Sequence, residues 1–135
     1  MPGQLVAQMY RVKVLDGAAE TTSPPSAASD GVELPLRQSD SGKIFILSTA
    51  GSGDMSVSIS LWGWDPGIEA WFDMGPLNKG DEIDESGDDL IAHVEPVYGL
   101  TGITRAALQV TAIAGTGTTV DAWIGREVAE QRRRN

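Results

Sequence analysis

The residues best suited to metal binding or catalysis are the six carboxylates from Asp81 to Asp89. Calcium takes several oxygen ligands from a flexible loop, and Asp81, Asp84, Asp88 and Asp89 could supply them. Their spacing does not match the EF-hand loop, which needs acids and a glycine at fixed positions. We therefore predict no metal site and no cofactor, and we interpret residues 80–89 as a solvated turn that discourages edge-to-edge association of sheets.

Other catalytic arrangements also find little support. A glycosidase needs an acid and a nucleophile at a narrow separation, and the spacing of Glu69, Asp73 and the acidic segment singles out no such pair. The only histidine, His93, is predicted to lie on the surface beside Glu95, and no Gly-x-Ser-x-Gly turn presents a serine nucleophile. Cysteine is absent, which removes disulfides, thiolate metal sites and cysteine nucleophiles. We predict that the protein is not an enzyme.

The four tryptophans are the strongest sign of a binding role. Trp62, Trp64, Trp71 and Trp123 all fall on the polar side of their local alternation, the side that should face away from the core. An outward apolar patch usually marks a surface that something else covers, and tryptophan is a frequent interface anchor. We therefore predict that these residues form a binding or interface surface. The alternatives are packing under a long loop, against the chain termini or, after a bulge, in a second sheet, and stacking on a sugar.

Composition limits the class of protein and its partners. With 135 residues and 41% hydrophobic content, the chain suits one globular domain over residues 1–135. A net charge of −9 repels a phosphate backbone, so nucleic acid is not expected as the main partner. The run Arg132–Arg134 is interpreted as part of a polar, frayed tail over residues 126–135. We find no signal peptide and no apolar run near the roughly 18 residues of a membrane span, so we expect a soluble protein with no membrane partner.

Alternating hydrophobicity predicts seven or eight strands and no convincing helix. The predicted strands are Leu5–Leu15, Val32–Leu36, Lys43–Ser48, Met55–Trp64, Ile68–Met74, Asp88–Tyr98, Arg105–Ile113 and Thr118–Gly125. Residues 16–41, rich in Ser, Ala, Pro and Gly, are predicted to form a long surface loop or an arm laid on a neighbour. These elements predict an all-β fold, a single-domain antiparallel β-sandwich or jelly roll with a long N-terminal loop or arm.

The alternation also predicts which side chains face the core. Inward rows are expected at Met55, Val57, Ile59 and Leu61; at Ile68, Ala70, Phe72 and Met74; at Leu90, Ala92, Val94 and Tyr98; at Ala106, Leu108, Val110 and Ala112; and at Thr118, Val120, Ala122 and Ile124. Asp65-Pro-Gly67 predicts a hairpin with a four-residue loop that pairs Trp64 with Glu69 and Trp62 with Trp71. Residues 114–117 are expected to close a second hairpin. Lys43–Ser48 is apolar on both faces, which suits a central strand or one whose second face is covered at an interface.

The C-terminal third contains a pattern that resembles a known group of proteins. From Tyr98 to Ile124 it has a glycine-containing approach, a polar start at Arg105, the run Leu108-Gln-Val-Thr-Ala-Ile113, a Gly-Thr-Gly turn and a strand of the form Val120-x-Ala-Trp. It resembles the closing hairpin of small β-sandwich virion proteins of tailed bacteriophages, which decorate the head or build neck and fibre-base structures. The lack of cysteine, the acidic charge and the many small residues are similar to that group too. No functional residue is carried over, since no residue motif defines the group chemically.

The resemblance implies a homo-oligomer, often a trimer, that docks on a capsid or tail. We therefore expect a structural virion protein, assembled in the host cytoplasm, that decorates or cements the capsid or forms part of the neck or fibre base. Its partners would be itself and other virion proteins such as the major capsid protein. The alternative is a carbohydrate-binding β-sandwich module that binds a glycan through the outward tryptophans. The mass in solution and a glycan array distinguish these two expectations.

Overall fold

In the computed structural model, residues 8–34, 42–85, 90–97 and 102–128 are described, and most of them lie in β-strands. The strands of this part are β1 (Gln8–Ala18), β2 (Val32–Glu33), β3 (Gly42–Thr49), β4 (Ser52–Asp65), β5 (Ala70–Pro76), β6 (Ile83–Glu85), β7 (Leu90–Val97), β8 (Arg105–Thr116) and β9 (Thr119–Val128). Two short 3₁₀ turns, Ala28–Asp30 and Leu77–Gly80, occur in the connections. Over the same ranges, no helix is long and apolar enough to cross a membrane. The predictions for Asp88, Asp89, Tyr98 and Arg132–Arg134 concern residues outside the described ranges.

The strands form two antiparallel sheets that pack face to face, so the predicted all-β sandwich is confirmed. Sheet A has the strand order β1-β9-β3-β7, and sheet B has the order β2-β8-β4-β5. Strand β6 pairs with the first half of β4, while β5 pairs with its second half. Two sheets are needed because each alternating strand presents an apolar row that must be buried against another element.

The core lies between the sheets and is built from the inward rows of the central strands. The rows predicted on β4 and β9 are confirmed, and Ile44 and Ile46 of β3 join them. On β8, the predicted residues Ala106, Leu108 and Val110 are buried, but Ala112 is exposed. The reason is a bulge: Ile59 pairs with Val110 and Ser58 with Ala112, so one extra residue of β8 reverses the faces beyond that point.

The face predicted for β7 is wrong. Ile91 and Val97 point into the core and are almost fully buried. The predicted inward residues Leu90, Ala92 and Val94 lie on the outer face of sheet A. Both rows of this strand carry apolar side chains, so alternation alone does not choose between them. Pairing makes the choice, because Val94 lies opposite Phe45, whose neighbours Ile44 and Ile46 fill the inner row of β3.

The hairpin between β4 and β5 has a four-residue loop, as predicted, but the loop begins one residue later. Asp65 pairs with Ala70 and Trp64 with Trp71, in place of the predicted pairs Trp64–Glu69 and Trp62–Trp71. The side chain of Asp65 sets this register, because its Oδ1 accepts the N–H groups of Gly67 at 2.8 Å and Ile68 at 3.2 Å. Glu69 completes the turn with a φ of 61°. The change moves the partners but keeps the tryptophans on one face.

The connection between β8 and β9 is a corner between sheets and not the predicted hairpin. Strand β8 belongs to sheet B and β9 to sheet A. The corner is tight: Gly115 has a φ of 111°, and a Cβ there would lie 2.5 Å from Thr118 Oγ1 and 2.9 Å from Met55 Cβ. The buried Thr118 hydroxyl donates to the Ala114 carbonyl at 3.0 Å. Each strand needs one inward row in either arrangement, so alternation could not distinguish a corner from a hairpin.

Strand β5 extends beyond the cover that sheet A provides. The predicted inward row Ile68, Ala70, Phe72 and Met74 is largely outside the core, with Ile68, Phe72 and Met74 exposed by 64%, 43% and 36%. Phe72 lies opposite Gly63 on the inner side of sheet B, but edge strand β7 of sheet A packs mainly over β6. The hairpin therefore presents apolar side chains to solvent.

Candidate interaction surfaces

Residues 19–31, which we call the arm, fold back onto sheet B of the same chain. The N–H of Thr22 donates to the Val110 carbonyl at 2.9 Å, and the Thr22 hydroxyl accepts the Val110 N–H at 2.9 Å. These two bonds add a rung to the free edge of β8. The remainder of the arm reaches the outer face of sheet B. Strands β1 and β2 occupy part of the predicted loop range 16–41, so the irregular stretch between them is shorter than expected.

Three of the four tryptophans predicted to bind, Trp62, Trp64 and Trp71, lie half-buried on this outer face, and Trp71 contacts the arm directly. The indole N–H of Trp71 donates to the Ala27 carbonyl at 2.9 Å. Its ring also packs on Gly31, where a Cβ would lie 2.2 Å from ring atom Cη2. The ring of Trp64 meets that of Trp71 edge-on, with centroids 5.6 Å apart. The bare glycine at position 31 is what allows the arm to approach the indole so closely.

Trp62 is connected to the arm through one intermediate side chain. Its indole N–H donates to Gln109 Oε1 at 3.0 Å, and the Gln109 amide donates to the Thr22 carbonyl at 3.2 Å. The N–H groups of Trp62 and Trp71 thus find their acceptors within the chain, as buried indoles usually do. At this face the chain supplies a large part of the cover itself.

Asp30 holds the arm in its conformation. Its carboxylate accepts the backbone N–H groups of Ser26 and Ala27, each at 2.8 Å, and the Ser26 hydroxyl at 3.3 Å. The bonds from the Ser26 and Ala27 backbone lower the pKa of Asp30 below its ordinary value of 3.8, because they stabilise the charged form. Asp30 therefore positions the Ala27 carbonyl that accepts the Trp71 indole.

Trp123, the fourth predicted residue, lies on the opposite side of the molecule. It occupies the outer face of sheet A, in a cross-strand row of Lys13, Trp123, Phe45 and Val94 that crosses all four strands. The structure therefore separates the predicted tryptophans into a group of three on sheet B and a single residue on sheet A.

The outer face of sheet A is unusually apolar for a face in water. We call its apolar residues the apolar face: Phe45, Leu47, Leu90, Ala92, Val94 and Trp123. Leu47, Leu90 and Val94 are exposed by 37%, 50% and 52%. The part on β7 could not be found from alternation, because that row was predicted to face the core. The available signal was the second apolar row of β3, which the sequence linked to an interface.

Cations lie over the aromatic rings of the apolar face. The Arg11 guanidinium is 5.7 Å from the centroid of Phe45, and Lys13 Nζ is 5.2 Å from the centroid of Trp123. Both distances are within the range of cation–π attraction. These long side chains cover parts of the rings while keeping their charges in water.

Lys13 also joins two carboxylates at the border of the face. Its Nζ lies 3.0 Å from Asp16 and 3.3 Å from Asp121. Hydrogen bonds to Asp16, which has the larger effect, and to Asp121 raise the pKa of Lys13 above its ordinary value of 10.5. The described charged side chains of this face are Arg11, Lys13, Lys43, Asp16 and Asp121, and both of these carboxylates are paired with Lys13.

The described part of the acidic segment, residues 80–85, contains a short strand in addition to the predicted turn. It contains β6, in which Ile83 is buried in the core between the exposed side chains of Glu82 and Asp84. Among the residues that the structure describes, no group of three or more acidic or histidine side chains converges as metal ligands.

His93 occupies the inner side of β7 and not the predicted surface row, as a consequence of the reversed face of this strand. Its Nε2 lies 3.0 Å from Glu95 Oε1, and the two side chains are exposed by only 25% and 22%. The two oxygens of Glu95 accept the backbone N–H of Asn78 at 2.8 and 3.0 Å. The pair therefore anchors the turn Leu77–Gly80 to the edge of sheet A. Within the described part of the chain, no serine hydroxyl is hydrogen-bonded to this histidine.

Comparisons of the chain with known protein families, with curated proteins and with solved structures found no match. The basis for a functional proposal is therefore the geometry of the two outer faces, together with the resemblance carried by the C-terminal third.

Proposed function

We propose that this protein is a non-enzymatic structural subunit that assembles with copies of itself in the virion of a tailed bacteriophage. In that role it decorates or cements the capsid, or forms part of the neck or fibre base. The observation that carries the assembly role is the apolar face of sheet A. A sheet with one side in water normally alternates apolar and polar residues. Trp123, Phe45 and the exposed aliphatic side chains beside them favour a face that another protein covers.

The virion part of the proposal has a different basis. It is supported by the resemblance of residues 98–124 to small phage virion proteins, and by the acidic, cysteine-free composition. The relation is one of sequence pattern, since β8 and β9 lie in different sheets and do not form a closing hairpin.

Light scattering behind size exclusion tests the assembly role with two matched variants. Val94→Asp places a charge within the apolar face, and Thr111→Asp places the same charge on an exposed residue of sheet B. We expect oligomers of the wild type and Thr111→Asp, and a monomer of Val94→Asp. Circular dichroism should show a folded sheet in all three, because Val94 is half exposed and contributes little to the core.

Two results would overturn this proposal. Equal oligomer masses for the three proteins would show that the apolar face is not the contact. A wild type that stays monomeric up to about 1 mM, which corresponds to roughly 4 kcal/mol of association, would remove the homo-oligomeric role. If that monomer also binds on a glycan array, a carbohydrate-binding module replaces the structural subunit.

A further inference from the structure

The β4–β5 hairpin carries a second apolar surface outside the core. Ile68, Phe72 and Met74 are exposed there, and the exposed Glu69 follows Ile68 in the turn. Asp73 belongs to the other face of β5, because it pairs with the outward Trp62, whereas Phe72 pairs with Gly63. We call Ile68, Glu69, Phe72 and Met74 the hairpin surface. Because β5 is an edge strand of sheet B, the surface projects from the sandwich and is accessible to another molecule.

The edge of the sandwich that bears the hairpin surface is strongly acidic. Residues 65–84 contain six carboxylates and one lysine, which gives a net charge of −5. On the outer face of sheet A, Arg11 and Lys43 flank Gly125 in one cross-strand row, and within the described ranges neither forms an ion pair with a carboxylate. Opposite potentials attract across about 10 Å at 0.1 M salt, and such complementarity selects the partner and its orientation.

We propose that the apolar face of one copy binds the hairpin surface of a second copy. This inference rests on the proposed homo-oligomeric function and adds which two surfaces meet. If two apolar faces met each other, Arg11, Lys13 and Lys43 of both copies would crowd together, and the two hairpin surfaces would stay exposed. A contact between the two different surfaces covers both apolar patches and places cations opposite carboxylates.

The proposed contact has a consequence for the form of the assembly. It joins two different surfaces, so each copy can bind one neighbour through its apolar face and another through its hairpin surface. Such a heterologous contact repeats from copy to copy and closes into a ring when the rotation between neighbours permits.

Charge reversal on each surface tests the proposal. Lys43 and Glu69 are suitable because both are exposed and neither side chain forms an ion pair within the described ranges. We expect Lys43→Glu and Glu69→Lys each to weaken self-association about tenfold, because each variant places like charges together. Labelled Lys43→Glu titrated with Glu69→Lys should bind with an affinity within about threefold of the wild type, because opposite charges face each other in both mixed contacts.

The neutral variants Lys43→Gln and Glu69→Gln are the matched controls, and mixing these two should restore nothing. Three results contradict the inference: a Glu69→Lys variant that associates like the wild type, charge-reversed variants that bind each other no better than themselves, or recovery in the neutral mixture. If these occur while Val94→Asp still abolishes assembly, the structural-subunit proposal stands and only the assignment of the hairpin surface fails. A wild type that is monomeric removes the proposed function itself.

Discussion

On sheet B, the outer face holds Trp62, Trp64 and Trp71 with the arm beside and above them. On sheet A, the outer face holds Trp123 and Phe45, and the side chains found over their rings in the described part of the chain are the cations Arg11 and Lys13. Both faces present aromatic residues outward along alternating strands. The difference is that the connection from β1 to β2 is long enough to return over one of them. An outward tryptophan therefore indicates a covered face, but the cover can be the chain's own loop.

The largest expected difference between the two faces is in the unfolding free energy after one indole is removed from each. Trp71→Ala should lower the free energy of unfolding by about 2–3 kcal/mol, because the half-buried ring packs on Gly31 and holds the arm. Trp123→Ala should change it by less than about 1 kcal/mol, the usual size of an exposed cation–π contact, and should weaken assembly by about 2 kcal/mol. Urea unfolding followed by circular dichroism measures the first quantity, and light scattering measures the second.

Similar behaviour of the two variants would remove the distinction between the two faces. Loss of fold in Trp123→Ala would place that indole among the structural residues of the sandwich. A fully stable Trp71→Ala that fails to assemble would mean that the arm is not the principal cover of sheet B.

A smaller loss is expected from Gly31→Ala. The new Cβ would lie 2.2 Å from Trp71 Cη2 and 2.7 Å from the Ala106 carbonyl oxygen, so the arm must move away from the backbone of β8. We expect a cost of about 1–2 kcal/mol in unfolding free energy, together with a red shift of tryptophan emission. Gly51→Ala is the control, because its Cβ would meet only the Thr116 carbonyl at 3.4 Å, an ordinary contact. Equal stability of the two variants would show that the arm is held loosely.

The smallest effect is a pH dependence confined to the arm. The pKa of Asp30 is lower in the folded chain than its ordinary value of 3.8, so its carboxylate stabilises the fold fully above that value. This contribution disappears as the pH falls through the lower, folded pKa. The difference in unfolding free energy between the wild type and Asp30→Asn should therefore be largest near neutral pH and should shrink below 3.8. A difference that does not change with pH would argue against a charged Asp30 as the clamp of the arm.

The fold class and most inward rows could be predicted because period-two alternation is a local property of each strand. The rows on β4 and β9 show this, since each has apolar residues on one side only, apart from the tryptophans. Strand β7 could not be assigned, because Ile91 and Val97 compete with Leu90 and Val94 and only the pairing with β3 decides between them. The bulge in β8 and the corner at Gly115 depend on contacts with distant strands, which no local pattern contains.

The sequence predicted that an outward face is covered, but not which residues form the candidate surfaces or what covers them. Outward tryptophans indicated a covered face, yet the sequence could not show that Ala27, which lies 44 residues before Trp71, and Gly31 return to that indole. The apolar face was hidden because its residues on β7 were assigned to the core. The hairpin surface was hidden for the same reason, since Phe72 and Met74 follow an inward pattern at a position that the described strands of sheet A cover only in part.

The rung that Thr22 adds beside Val110 also limits how the protein can polymerise. An uncapped strand is a template that can recruit strands from other molecules without limit, which leads to amyloid-like growth. Here one chain already occupies the donor and the acceptor of Val110. Copies that meet at this position cannot extend the hydrogen-bonded ladder through Val110, so this part of the β8 edge does not act as such a template.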